Sequence, residues 1–245
     1  MHLLEGKGVS IHFGGLAAVS DVDFYVDEGE IVGLIGPNGA GKTTLFNLIS
    51  AALEPKPGEI LLKGKRINGL KPYQICRLGI ARTFQTVKIF GSLPAIENVR
   101  IGSLFGPLNR LSTMEATKEA IELLEFVGLS DVASAPAKDL TLSSQKRLEV
   151  ARALATRPAL LLLDEIMAGL NQTELLEAME LVKKIQKRGV TVVMIEHVMK
   201  AIMGICDRII VLHHGKKIGD GTPQEVANSK TVIEVYLGEA SDAGD

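Results

Sequence analysis

Apolar residues recur along this chain in two rhythms, and their order predicts an alternating α/β fold. Val9 to Phe13 and Val22 to Val26 alternate apolar and polar, the two-residue period of half-buried strands. Glu30 to Ile35, Leu160 to Leu163 and Val190 to Ile195 are short, almost unbroken apolar runs, which predict strands buried on both faces. Glu59 to Leu62 predicts a strand running into a turn at Lys63-Gly64-Lys65. Ile80 to Gln85 predicts a short strand that ends at Gln85. Arg208 to Leu212 and Lys216 to Gly219, joined across His213-His214-Gly215, predict a hairpin.

From Ser92 to about Arg152 the strand rhythm gives way to helical spacing. Glu115 to Val127 places Ala116, Ala120, Ile121, Leu123, Leu124 and Val127 near one face, and Pro136 breaks the pattern before a helix over Ser144 to Ala155. Beyond the strand at Leu160, a helix is expected over Thr173 to Arg188, ended by Gly189. Thr222-Pro223-Gln224-Glu225 supplies a cap, a proline at the first turn and a capping-box glutamate for a last helix. The expected organisation is one domain over 1–245. Its core is 1–91 plus 156–245, and residues 92–155 form an inserted α-helical subdomain. The small, polar stretch Ala240 to Asp245 is expected to fray.

Composition narrows the function. With 27 basic and 29 acidic residues the net charge is −2, which argues against nucleic acid as a partner, since such proteins carry a basic stripe. The two cysteines, Cys76 and Cys206, form no Cys-x-x-Cys and are expected to be reduced. The N-terminus does not read as a signal peptide, and the longest apolar run, near Ala159 to Leu163, is far short of the ~20 residues that span a bilayer. Any membrane role is expected to go through a partner protein.

The chemistry begins at Gly36-Pro37-Asn38-Gly39-Ala40-Gly41-Lys42-Thr43, a match to the phosphate-binding G-x-x-x-x-G-K-[ST] loop, followed by Thr44. Its context fits, because the run to Ile35 reads as a buried strand and Lys42 to Ile49 can open a helix whose N-terminus favours anions. The glycines allow torsions that turn successive N–H groups towards phosphate oxygens. Lys42 can reach the β- and γ-phosphates, and the Thr43 hydroxyl can ligate Mg²⁺. A nucleoside polyphosphate with Mg²⁺ is therefore the expected ligand.

Acidic and polar residues at other strand ends extend this. Four leucines lead into Asp164, expected to hold Mg²⁺ through water, and Glu165, expected to act as general base on the attacking water. His197 follows a buried strand, where it can donate to the γ-phosphate. Gln85 is placed to contact Mg²⁺ and the lytic water. Phe13 reads either as a core aromatic or as a platform for adenine.

In that order, Phe13, the phosphate loop, Gln85, Asp164-Glu165, Asn171 and His197 resemble the ATP-binding subunits of ABC transporters over about residues 3 to 239. The resemblance implies a P-loop NTPase fold with a RecA-like core, an antiparallel β subdomain and a helical subdomain. More narrowly, Phe13-Gly14-Gly15-Leu16, Arg82-Thr83-Phe84-Gln85, Ala168-Gly169-Leu170-Asn171, Glu196-His197-Val198-Met199 and Tyr236-Leu237-Gly238-Glu239 are similar to the ATPases of branched-chain amino-acid importers. Lipopolysaccharide-export ATPases share the Tyr-Leu-Gly-Glu ending but usually lack Arg-Thr-Phe before the glutamine. The family implies ATP hydrolysis with Mg²⁺, a second ATP-binding subunit, permease subunits and, indirectly, a solute-binding protein. It also implies a place on the cytoplasmic face of the inner membrane. Gln85 would begin the segment that senses the permease, and Asn171 would face the other ATP-binding subunit.

In the family, Leu-Ser-Gly-Gly-Gln opens a helix that covers ATP held by the partner subunit. Without gaps this signature falls on Leu140-Thr141-Leu142-Ser143-Ser144, so that Thr141, Ser143 and Ser144 become candidate nucleotide contacts. A one-residue gap aligns Leu142 to Gln145 instead. Ile166 stands where the family usually has proline. Loss of both glycines is expected to weaken the site on the partner's ATP, which suggests a heterodimer with unequal sites.

Overall fold

Two sheets share the chain, and their opposed hydrogen-bond patterns follow from the two strand rhythms. The computed structural model describes residues 2–106 and 111–235. β1 (His2–Phe13) and β2 (Leu16–Asp27) form a long antiparallel hairpin, joined by β4 (Glu59–Leu62) and β5 (Lys65–Arg66) in the order β2-β1-β4-β5. The second sheet holds β3 (Ile31–Ile35), β6 (Ile80–Arg82), β7 (Leu160–Asp164), β8 (Thr191–Ile195), β9 (Arg208–His213) and β10 (Lys216–Gly221). Its order is β10-β9-β3-β8-β7-β6, parallel except for β10.

The unbroken apolar runs are central strands with a core on each side, as parallel strands require. Ile31, Ile35, Leu161, Leu163, Val192 and Met194 point into one cluster, with the later helices. Val32, Leu34, Leu160, Leu162, Val193 and Ile195 point into the other, with the first sheet and α1 (Lys42–Ile49). Successive residues alternate between the two sides, so the sheet is enclosed by two apolar layers and its strand register is specified.

Between β6 and β7 lie α3 (Ala95–Phe105), α4 (Thr113–Phe126), α5 (Leu142–Leu154) and two short 3-10 turns. No named strand occurs among the described residues of 92–155. Only a bridge between Pro94 and Pro136 interrupts the helical character. Ser112 with Glu115 caps α4, and Asn171 with Glu174 caps α6 (Gln172–Lys187), each by a reciprocal pair of hydrogen bonds. The expected last helix is α8 (Pro223–Ala227), capped by Thr222 and Glu225.

Three details differ from the sequence expectation. β6 ends at Arg82, not Gln85, because after Thr83 the backbone leaves the sheet for a side chain. The Glu149 carboxylate accepts from Lys88 N at 3.0 Å and from Phe84 N at 3.4 Å, replacing a strand partner. Helix α5 begins two residues before Ser144, since Thr141 is its cap. Two short helices, α2 (Pro72–Arg77) and α7 (Met199–Ile205), show too few turns for a periodic signal. Tyr236 to Glu239 and the stretch expected to fray lie outside the described residues.

Candidate functional site

All the strand-end candidates meet at one edge of the parallel sheet, the carboxyl ends of β3, β8, β7 and β6. This is where an open α/β sheet offers a crevice and helix N-termini. The loop after β3 can take its shape only with glycine at two close approaches. A Cβ on Gly36 (φ 151°) would stand 2.1 Å from Leu212 O, and one on Gly41 (φ 102°) 2.4 Å from Ala18 O. The loop is thereby pinned to β9 and to β2. Lys42 opens α1 and is nearly buried, with Nζ donating to Gly36 O at 2.6 Å and Pro37 O at 2.8 Å. Its ammonium is thus already held inside the loop that it must serve.

A cleft of about 610 Å³ opens over this loop. It is lined by Phe13, Asn38, Gly39, Ala40, Gly41, Lys42, Thr43, Thr44, Gln85, Glu165 and His197, and also by Leu16 and His214, which the sequence did not single out. Phe13 is half exposed on the cleft wall rather than packed in the core. Gly36 and Pro37 form the base of the loop.

Glu165 is the meeting point. Gln85 Nε2 donates to its Oε2 at 2.9 Å, and His197 Nε2 lies 3.0 Å from its Oε1. Two side chains, from the segments that follow β6 and β8, therefore hold one carboxylate beyond β7 at the cleft over the phosphate loop, where it could deprotonate a water. Glu165 has φ 51°, a left-handed conformation that a non-glycine residue keeps only when its surroundings enforce it.

Asp164 lies one residue deeper and is 2% exposed. Its Oδ2 accepts from Arg82 Nη2 at 2.8 Å, while its buried Oδ1 has no hydrogen-bond partner. Burial pushes this carboxyl above its ordinary range, against the pull of Arg82. A buried acceptor left open near Lys42 suits a divalent cation or its water; Thr43 and Gln85 line the cleft, whereas Asp164 is not among its lining residues. Arg82 also donates to Asn47 Oδ1 at 2.6 Å and Ser50 Oγ at 3.2 Å, which ties β6 to α1.

Thr141, Ser143 and Ser144 do not join this cleft. They start α5, where the Thr141 side chain accepts from Ser144 N at 3.2 Å. Ser143 is 7% exposed and turned inward, so only its backbone could serve a second molecule. Leu142, by contrast, is 52% exposed. Of the two residues standing in place of glycine, Leu142 alone puts its side chain into solvent.

Sequence reasoning passed over four buried charges around the site: Arg82, Lys146, Glu149 and Glu196. Glu196 Oε1 accepts from Met167 N at 2.8 Å, and burial pushes its carboxyl up to about 7 from 4.5. The folded chain holds this proton between about pH 4.5 and 7, whereas the unfolded chain releases it. The contribution is therefore full below the unfolded value and is lost as pH rises through 7, a swing on the order of 3 kcal/mol. Glu196→Gln keeps the acceptor for Met167 and removes the titration. Urea midpoints should show the wild type losing ground to Glu196→Gln by roughly 2–3 kcal/mol between pH 4.5 and 8. A difference independent of pH contradicts the assignment.

Comparison with known proteins agrees with this geometry. A family model described as ABC transporter matches residues 19–168, and one described as branched-chain amino acid ATP-binding cassette transporter matches residues 216–242. The chain is 41% identical to the high-affinity branched-chain amino acid transport ATP-binding protein BraF of Pseudomonas aeruginosa, over 97% of this chain and 98% of that protein. It is 33% identical to the lipopolysaccharide export system ATP-binding protein LptB of Acidithiobacillus ferridurans, over 97% of each. Among solved structures, the ADP conformation of an ATP-binding cassette of an ABC transporter superposes with a TM-score of 0.86. That match has 28% identity and covers 97% of this chain and 99% of that one.

Proposed function

This chain belongs to the ATP-hydrolysing cassettes of ABC transporters, and on that premise we propose that it energises the uptake of branched-chain amino acids through membrane permease subunits. One observation carries the hydrolytic part: Gln85 and His197 hold the two oxygens of Glu165 beside the phosphate loop. The choice of solute rests on similarity to BraF, which exceeds that to LptB.

ATP would lie along residues 36–44 with its base against Phe13. Lys42 would leave the Gly36 and Pro37 carbonyls for the β- and γ-phosphates. Glu165 would take the proton of the attacking water, and His197 would orient Glu165 and the γ-phosphate. Mg²⁺, when bound, would neutralise phosphate charge, with Thr43, Gln85 and Asp164 as its protein contacts; the open Oδ1 of Asp164 fits that role. Gln85 also begins the segment facing an open apolar groove of about 830 Å³, where Tyr73, Phe90 and Phe105 are exposed. A permease loop seated there would reach the catalytic edge through β6. The permease holds the chain at the cytoplasmic face of the membrane; no helix among the described residues is long and apolar enough to cross it.

The start of α5 would cover ATP on a second ATP-binding subunit, with Asn171 facing the same partner. Leu142 protrudes there, so the site built on the partner is the weaker one, and the natural pair is a heterodimer. Proteoliposomes carrying the permease subunits and binding protein, with this chain as sole ATPase, should take up leucine slowly. Leu142→Gly should raise the rate about three- to tenfold by letting backbone N–H groups approach phosphate. Fast uptake unchanged by Leu142→Gly overturns the unequal pair. No ATP-dependent leucine uptake even with a second ATP-binding chain overturns the transport reading.

A further inference from the structure

The backbone from Glu165 to Ala168 is held by two largely buried ionisable side chains that do not line the nucleotide cleft. Lys146, on the first turns of α5, is 8% exposed; its Nζ donates to Ala168 O at 2.5 Å and to Glu165 O at 3.3 Å. Glu196 accepts the Met167 N–H at 2.8 Å and lies close enough to Lys146 for the two charges to act on each other. Glu165 N donates to Ile195 O at 2.9 Å, which fixes the start of the segment to β8. The grip encloses Glu165, a non-glycine residue with a left-handed backbone at φ 51°. Such a conformation relaxes when its surroundings loosen, and Ile166 has no ring to restrict the torsion that follows.

We infer that Lys146 and Glu196 are positioning residues that clamp the Glu165–Ala168 backbone, so that the Glu165 carboxylate and the start of α5 move as one body. Lys146 lies five residues beyond Thr141, the cap of α5. Resting on the proposed pairing of two ATP-binding subunits, the clamp would link the half-site that hydrolyses this chain's ATP to the half-site that covers the partner's. Neither residue reaches a substrate; each acts through the backbone that aims Glu165. Small displacements of such a group are enough to slow a reaction strongly while binding is kept.

Amide hydrogen exchange on the full chain reads the clamp directly, without ATP or a partner. In Lys146→Met, exchange at Met167 and Ala168 should rise about tenfold while β7 and β8 keep their protection. Glu196→Ala should do the same at Met167, and Glu196→Gln, which retains an acceptor, should not. In the ATPase assay Lys146→Met should lose about tenfold in kcat with KM within about twofold, and Lys146→Arg should restore most of it. Unchanged exchange in Lys146→Met overturns the clamp, as does a loss of ATP affinity equal to the loss of turnover. Wild-type protein without ATPase activity would count against the proposed function alone, because the exchange comparison still decides the clamp.

Discussion

Glu165→Gln should bind ATP close to normally and hydrolyse it roughly 10²–10³-fold more slowly, the span expected when a general base is removed. The substitution preserves shape and an acceptor for Gln85, whose Nε2 now donates to Glu165 Oε2 at 2.9 Å. What disappears is the site for the proton of the attacking water. The proposed phosphate contacts are the loop and Lys42, so affinity has no reason to follow. Steady-state phosphate release and titration with a fluorescent ATP analogue separate the two quantities. Equal losses in both would mean that Glu165 serves binding rather than proton transfer.

Lys42→Ala should fail one step earlier, at binding. Its ammonium is the one charge that the loop itself supplies to the phosphates, and charge-assisted hydrogen bonds are worth about 1.5–3 kcal/mol each. ATP affinity should fall by roughly 10- to 150-fold. A second effect accompanies it. Lys42 holds the carbonyls of Gly36 and Pro37 inside the loop, and without it these acceptors lose their partner. The apo protein should therefore melt a few degrees lower, whereas Glu165→Gln should not. Unchanged affinity for the analogue would remove Lys42 from the phosphate site.

Legibility followed the reach of each signal along the chain. The phosphate loop, the leucine strand before Asp164 and the strand before His197 are local, so eight or ten neighbouring residues carry both the element and its chemistry. The same is true of the capped start of α8. Gln85 was placed at a strand end because the alternation runs on to it, but Glu149, more than sixty positions away, takes the N–H groups that the strand would have used. Lys146 carries no signal of its own in the sequence, and Glu196 stands there only as the neighbour of His197; what buries both is their contact with the Glu165–Ala168 segment, which is distant in sequence from each. Ser143 is a candidate contact because the family signature falls on it without gaps, but at the start of α5 its side chain is buried. Arg82 stood in a quoted motif, yet its pairing with Asp164 needs two neighbouring parallel strands to be known.

Hydrolysis centred on Glu165, held by Gln85 and His197, is the core of this account. The most direct measurement of it is a single turnover, in which trace γ-labelled ATP is mixed with excess protein and released phosphate is followed in time. The wild type should release phosphate promptly, and Glu165→Gln should hold intact ATP for at least roughly a hundredfold longer. Release at the same rate by both proteins would contradict the assignment.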